Sequence, residues 1–451
     1  MKRMPLYQRN EIYNKPAGFY YFVFLFLLIV SYASCVFSSE ILKLSLSDVL
    51  KRAQENSLLI RVARRQVQEA AGRKQQADAD LLPNVSLGGA QMKVFRENLD
   101  SLGFPGGGNL GPLKTFDARA QLVQRVFDLS ALSRHQAGVV ELKIANFEND
   151  LALQQVTLTA AMAYLEVLHS QERLGAIAKD KVLAQELLTL ASHQFEEGIA
   201  AKIDVTRAKT RLAQEEYLYQ ETQLNVDRAN LQLQRITSLP LGKPLELNDR
   251  MKFSQEPILS LQEAIDKAQE ERIEIKISGQ KVQYAKYKMQ EARNQNFPQI
   301  SLVGDIGRAG SDISKKTNEV SEIGFKVKVP VFEGGRIAGE VKEAAGKKEE
   351  EEMIRDDTKI QVEEDVRLAF KTLNSSKQQV LAAEQTLILA EEEVSLAKNQ
   401  LISGISDNLE LITAQTKLAD AREAYTAALT QYHVARMNYY SAIGHIERFH
   451  L

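Results

Sequence analysis

The ten prolines leave two long stretches of the chain untouched, 113–239 and 331–451. A proline in a helix interior costs about 3 kcal/mol, so only gaps of this kind permit very long helices. Both stretches are rich in Ala, Leu, Gln, Glu and Lys, which favour helix, and both carry heptads. In the second, Val366, Leu373, Val380, Leu387, Val394 and Leu401 recur every seventh residue, interleaved with Val362, Ala369, Ser376, Ala383, Ala390 and Ala397. In the first, Ala160, Val167, Leu174, Lys181, Leu188 and Phe195 form one seam and Val156, Ala163, Ser170, Ile177, Ala184 and Ala191 the other. A sustained 3.5-residue repeat specifies left-handed coiled coils. Lys181 is the misfit and is expected to snorkel.

The two heptad arrays are offset by 206 residues, and the seam serine recurs as Ser170 and Ser376. Upstream, residues 44–89 align without a gap on 259–304, with 16 of 46 positions identical. Chance at average residue usage gives roughly three, so the chain is two copies of one unit. Each copy reads in the same order: a helix after Ser45 or Ser260 running to Pro83 or Pro298, two alternating segments, a long helix, a glycine turn and a last helix. The expected domains are a signal peptide at 1–38, a first repeat at 39–239, a linker at 240–257 and a second repeat at 258–446. Strands are expected near 84–96, 116–127, 299–308 and 321–332. Long helices are expected near 129–197, 203–238, 334–403 and 407–443.

The start of the chain has the order of an export signal. Four cations precede the apolar run Phe19–Val30, and small residues follow it. Cys35 is the single cysteine, so disulfide chemistry is excluded. Tyr32-Ala33-Ser34-Cys35 is similar to a bacterial lipobox, although Tyr32 stands where Leu is usual, and makes Cys35 a lipidation candidate; a cut near Ser38 or Ser39 is the alternative. The formal charge is −2, and about −5 once the +3 of the leader is removed. No basic face points to nucleic acid.

The alternating segments point to a membrane. Ile323, Phe325, Val327, Val329 and Val331 alternate with Gly324, Lys326, Lys328 and Pro330; Phe116, Ala118, Ala120, Leu122 and Val126 alternate with Asp117, Arg119, Gln121 and Arg125. About ten residues of apolar-out, polar-in alternation mark a transmembrane barrel strand. Four strands cannot close a barrel, and an open edge is not tolerated in lipid, so copies must associate. The heptad helices are too long and too charged for a bilayer and must project into water. The six histidines show no ligand spacing such as H-E-x-x-H, no phosphate loop is complete, and no triad is evident. The expectation is therefore no enzyme, no metal and no cofactor. A soluble periplasmic coiled-coil adaptor or scaffold is the alternative, and it leaves the four barrel-like segments unexplained.

The chain resembles the TolC-like outer membrane efflux family over about 42–445. The resemblance is carried by the duplicated opening helix (LSLSDVLKRAQENS and LSLQEAIDKAQEER), by Pro83 and Pro298 before strands, and by the run Val329 to Arg336. The hairpin tips from Gly198 to Val205 and from Gly404 to Gln415 carry it further; the first copy departs at 124–130, which lacks the proline and the glycine pair. The resemblance implies an α+β membrane protein: a homotrimer whose 12-stranded β-barrel in outer-membrane lipid continues into a long α-helical coiled-coil tunnel across the periplasm. It implies two partners, a periplasmic adaptor and an inner-membrane pump, and the role of exit duct in a tripartite efflux or type I secretion system. It also implies a gated periplasmic entrance at the second hairpin tip. Glu410 matches one acidic position there, Thr413 stands at the second, Ser406 replaces a latch arginine, and Asp204 fits the latch partner. Adaptor docking is expected around Gly198, Ile199, Gly404 and Ile405.

Overall fold

The computed structural model describes residues 42–94, 113–255, 257–403 and 405–451. The expected signal peptide, Cys35, most of the first hairpin loop and Gly404 lie outside the described residues. The chain divides into two compact units. Among described residues the smaller comprises 42–43 and 242–246, where Lys43 pairs with Glu246 at 3.3 Å and the Leu42 N–H meets the Pro244 carbonyl. The larger comprises 44–241 and 247–451.

Short strands β1 (Leu42–Leu44) and β4 (Leu245–Leu247) pair. The rest follows one order twice. The first copy has α1 (Leu46–Asn56), α2 (Leu58–Ala79), β2 (Asn84–Val94), β3 (Leu113–Phe127), α3 (Leu129–Glu196) and α4 (Lys202–Ile236). The second has α5 (Leu261–Glu271), α6 (Ile273–Asn294), β5 (Gln299–Gly310), β6 (Asn318–Lys328), α7 (Arg336–Ile402) and α8 (Asn408–Ala442). Matched capping boxes open each copy. Asp48 accepts from the Ser45 hydroxyl at 2.6 Å and N–H at 3.0 Å, and Glu263 from the Ser260 hydroxyl at 2.8 Å and N–H at 2.9 Å; the hydroxyl bond first and the N–H bond second hold both carboxyls below their usual range.

Two expectations need correction. The helix before each strand is not continuous: it breaks at Ser57 and Arg272, whose ψ values of 131° and 129° are extended rather than helical. The last strand ends at Lys328, not 332, because Pro330 has no N–H for the ladder. The two repeats pack together, α3 of the first against α6 of the second. The joints between strand and helix differ as well. Asp128 caps α3 directly through the Ala131 N–H at 3.0 Å, whereas Gly334 and Gly335, both at positive φ, turn the chain into α7. Only glycine adopts two such conformations in succession cheaply.

The four long strands form one antiparallel sheet in the order β2-β3-β5-β6, so β2 and β6 are its edges. The register places Leu87 opposite Ala120, Ala120 opposite Ile306, and Leu302 opposite both Gln124 and Phe325. One face therefore collects Val85, Leu87, Leu122, Leu302, Ile323, Phe325 and Val327, most of them exposed. The other face carries Asp117, Arg119, Asp305, Glu322 and Lys326. There Arg119 bridges Asp117 at 2.7 Å and Asp305 at 3.1 Å, lying over Gly307. A bulge at Val126 ends the regular pairing of β3 and brings Phe127 opposite Ile300.

The α3 and α7 helices have 68 and 67 residues, roughly 100 Å each at 1.5 Å per residue. Their seams are the core. In α7, Val362, Val366, Leu373, Ser376, Val380, Ala390, Val394, Ala397 and Leu401 are buried, while Ala369, Ala383 and Leu387 are half-buried. In α3 the expected seam from Val156 to Ala191 is buried throughout, with Ile177, Ala184 and Ala191 following Ser170, whereas the other moves back by one residue: Asp180 and Leu187 are buried, Lys181 and Leu188 half-buried and Phe195 exposed. The lower part of α3 packs on two helices, α4 and α8, so no single 3.5-residue seam describes its buried face.

Candidate functional site

The two hairpin tips are built alike from unlike residues. At the first, Gly198 takes φ +76°, and the N–H groups of Ile199 and Ala200 both reach the Gln194 carbonyl, at 2.8 and 3.0 Å. This left-handed turn satisfies the last carbonyls of α3. The Asp204 carboxylate then accepts from the Ala201 N–H at 3.2 Å and from Arg207 at 3.4 Å. At the second tip, the Ile405 N–H meets the Gln400 carbonyl at 3.0 Å, and Asp407 caps α8 through the N–H groups of Leu409 and Glu410, at 3.0 and 3.1 Å.

The Ser406 hydroxyl donates to the Glu410 carboxylate, one turn into α8. The Thr413 hydroxyl donates to the Leu409 carbonyl of its own helix at 2.8 Å. Asp204 and Ser406 thus bond within their own turns and are not brought together as a latch. The bond that does join the tips was not anticipated: buried Asn408 donates to Gln194 at 3.0 Å, linking the start of α8 to the end of α3. Beneath it Leu411, Ala414 and Leu418 pack with Leu187, Ala191 and Ala208. Both tips present apolar side chains to solvent, with Ile199 72% and Ile405 79% exposed, flanked by Ile203 and Ile402.

Further along the coil lies a buried charge cluster. Asp180 of α3 pairs with Arg422 of α8, which also lies 3.8 Å from Glu391 of α7. On α4, Arg211 pairs with Glu215 at 2.5 Å. Asp180 and Glu215 are both almost inaccessible to solvent. Burial pushes both carboxyls above their usual range, against the pull of Arg422 on Asp180 and of Arg211 on Glu215. Arg211 and Glu215, four residues apart on α4, read in sequence as a solvated surface pair. Asp180 carried a fainter signal in its place beside the misfit Lys181, which lies 3.5 Å from Glu216 and 5.5 Å from the Tyr219 ring.

The family model described as "Outer membrane efflux protein" matches residues 49–238 and 264–445. Among curated proteins, the alkaline protease secretion protein AprF of Pseudomonas aeruginosa is 25% identical over 335 residues, covering 71% of this chain and 68% of AprF. The outer membrane protein TolC of Escherichia coli is 23% identical over 362 residues, covering 72% of this chain and 69% of TolC. Among solved structures, the outer membrane protein VceC of Vibrio cholerae superposes with a TM-score of 0.77 at 16% identity, covering 89% of this chain and 96% of VceC.

Proposed function

The chain belongs to the outer membrane efflux protein family, and from that premise we propose that it is the exit duct of a tripartite efflux pump or a type I secretion system. It is an outer-membrane protein and a passive channel, not an enzyme. The observation that carries the duct reading is the sheet. One face is apolar, the other is charged, and the outer edges of strands β2 and β6 are unpaired among the described residues. In hydrocarbon each unpaired edge would leave a row of polar groups unsatisfied, so the edges must meet those of other copies. Three copies supply twelve strands, and the apolar faces then contact outer-membrane lipid. The helices behind the sheet exceed the ~40–45 Å of a whole bilayer and extend into the periplasm. A solvent-facing heptad of Ile203, Tyr217, Leu224 and Leu231 on α4 supports the same association of copies.

The periplasmic entrance is at the hairpin tips. A ring of Glu410 carboxylates, steadied by Ser406, favours cations in a narrow passage; Thr413 and Asp204 complete the polar set. Exposed Ile199 and Ile405, next to the Gly198 turn and Gly404, give a periplasmic adaptor an apolar docking edge, and the adaptor connects the duct to an inner-membrane pump. The name of AprF supports the secretion arm. Planar-bilayer recording tests the reading: the purified protein should conduct with cation preference, and Glu410→Ala should reduce that preference. A mature protein that stays a water-soluble monomer without conductance would overturn it.

A further inference from the structure

Next to the sheet, α3, α6 and α7 enclose a cavity of about 610 Å³. Its floor is α6, with Tyr284, Ala285 and Ala292, while Ile144 of α3 and Ala344 of α7 stand on either side. Sites for small organic molecules have this size, about 300–1,000 Å³, and this mixture of apolar lining with a few placed polar groups. The cavity also has a direction. Because α6 packs on both long helices and both contribute to the lining, α6 sits back between them at the bottom of a trough. In a closed cylinder of helices any three neighbours are hollow on the inner side. On the duct reading, the trough therefore opens onto the lumen.

Most charges around the trough are already matched. Lys288 pairs with Glu291 at 2.5 Å, and Glu291 also with Arg134 at 2.8 Å. Glu141 pairs with Arg73 and Glu340 with Arg336, each at 2.6 Å, and Lys347 lies 3.7 Å from Glu350. Among the described residues, no ion pair engages the lining residues Lys281, Glu343 and Glu351. Two carboxylates against one ammonium leave a surplus of one negative charge. The helix register says where it lies. Gln295 donates to Glu340 at 2.7 Å, and α6 runs toward the sheet while α7 runs away from it. Eleven residues along each helix from that bond, Tyr284 and Glu351 come level. Burial first and Glu141 second hold the Tyr284 hydroxyl above its usual range, so the ring stays neutral. A neutral phenol attracts a cation over its face, and the Glu351 carboxylate draws the same charge from α7. The apolar lining takes up organic bulk that a small inorganic ion lacks, and the surplus negative charge turns anions away.

We propose that this trough is a binding site for a monovalent amphipathic organic cation, held between the Tyr284 ring and the Glu343 and Glu351 carboxylates on the inner wall of the duct. The lumenal position rests on the duct reading; the binding does not. The probe is tetraphenylphosphonium, with tetraphenylborate as an anion of like size. Calorimetric titration of the full-length protein in detergent, with protein-free micelles as the blank, should show saturable binding of the cation and several-fold weaker binding of the anion. Glu343→Gln with Glu351→Gln should weaken the cation several-fold, Tyr284→Leu should do the same, and Tyr284→Phe should not. Ala344→Trp fills the trough and should abolish binding. In planar bilayers the cation should reduce the wild-type current, read as a fraction of the current before its addition, and spare that of the Gln double variant. Equal binding of both ions, or variants that bind like the wild type, overturns the site. Binding that leaves an open current unchanged overturns its place in the lumen. A protein with no current of its own overturns the duct reading, and the titration then judges the site alone.

Discussion

Arg422→Met strips the buried Asp180 of its principal counter-charge. An exposed ion pair contributes about 0–1 kcal/mol, but this one joins α3 to α8 where the Asp180 side chain is 7% and the Arg422 side chain 18% exposed. Removing one member of a buried pair costs about 3–5 kcal/mol, because the other charge stays desolvated. Arg211 still acts on Asp180 from α4, so the low end applies. About 3 kcal/mol is roughly a hundredfold in the unfolding constant. The pH dependence carries a definite sign. Burial already holds the Asp180 carboxyl above the ordinary 3.8, and the loss of Arg422 raises it further. A carboxyl raised in the folded state adds stability when protonated, and that stability is lost as pH rises from 3.8 through the folded value. The Arg422→Met defect should therefore be full at neutral pH and shrink on acidification. Adding Asp180→Leu should recover most of it, since the carboxylate stripped of its partner is then gone. Pulse proteolysis of the detergent-solubilised protein across a urea series, at several pH values, measures all three. A neutral-pH defect under about 1 kcal/mol, a defect that grows in acid, or a double variant as weak as the single would refute the reasoning.

Gly307→Val should block formation of the sheet, because a Cβ there would lie 2.1 Å from the Ala118 carbonyl oxygen and 2.7 Å from the Arg119 Cα; loss of the heat-resistant oligomer band on gels would register it, and a normal band would contradict it. At the far end of the sheet, Lys114 and the hydrogen bonds from Ser314 hold Asp312 down to about 2. A carboxyl depressed in this way keeps its contribution above the ordinary 3.8 and loses it as pH falls through about 2. The tie between the two hairpins should thus survive mild acid and fail with Asp312→Asn, as read by protease sensitivity of the loop at 311–317. Cys35→Ser should abolish labelling with radioactive fatty acid if Cys35 is the acylated N-terminus; unchanged labelling and processing would remove it from that role.

What could be read from the sequence was what depends on one helix or strand alone. The α7 seam, the capped starts at Ser45 and Ser260, and the alternation in β3 and β6 follow from local periodicity, and the structure keeps them. What could not be read depends on which second partner a residue meets. The shift of the one α3 seam that runs through Lys181 arises because α8 joins α4 there, and nothing in the order of residues 171–196 announces a second neighbour. The tip bond from Asn408 to Gln194 joins residues 214 apart. The break at Arg272 gave no turn signal either: its guanidinium holds Glu274 at 2.8 Å and the Ala442 carbonyl at 3.1 Å, and both partners become visible only once the chain is folded.

The pattern of identity between the two copies has a physical reading of its own. Ala53 and Ala268, Ala70 and Ala285, and Ala77 and Ala292 are identical pairs, and all six are buried. They lie on the faces that pack against the long helix of their own repeat, as where Gly138 of α3 approaches Lys74 and Ala77 of α2. The outer faces have diverged: Tyr284 and Tyr287, packed against the α3 cluster, correspond to Glu69 and Gly72. Both copies must make the same internal contact with a neighbour that varied as they did, so small residues are retained where close approach is required. On the proposed association of copies, the outer faces meet different surfaces, one inside the chain and one beyond it, and each was free to match its own. Duplication followed by divergence on one face alone is thus what a unit leaves in its sequence when it has two kinds of neighbour and only one of them belongs to the same chain.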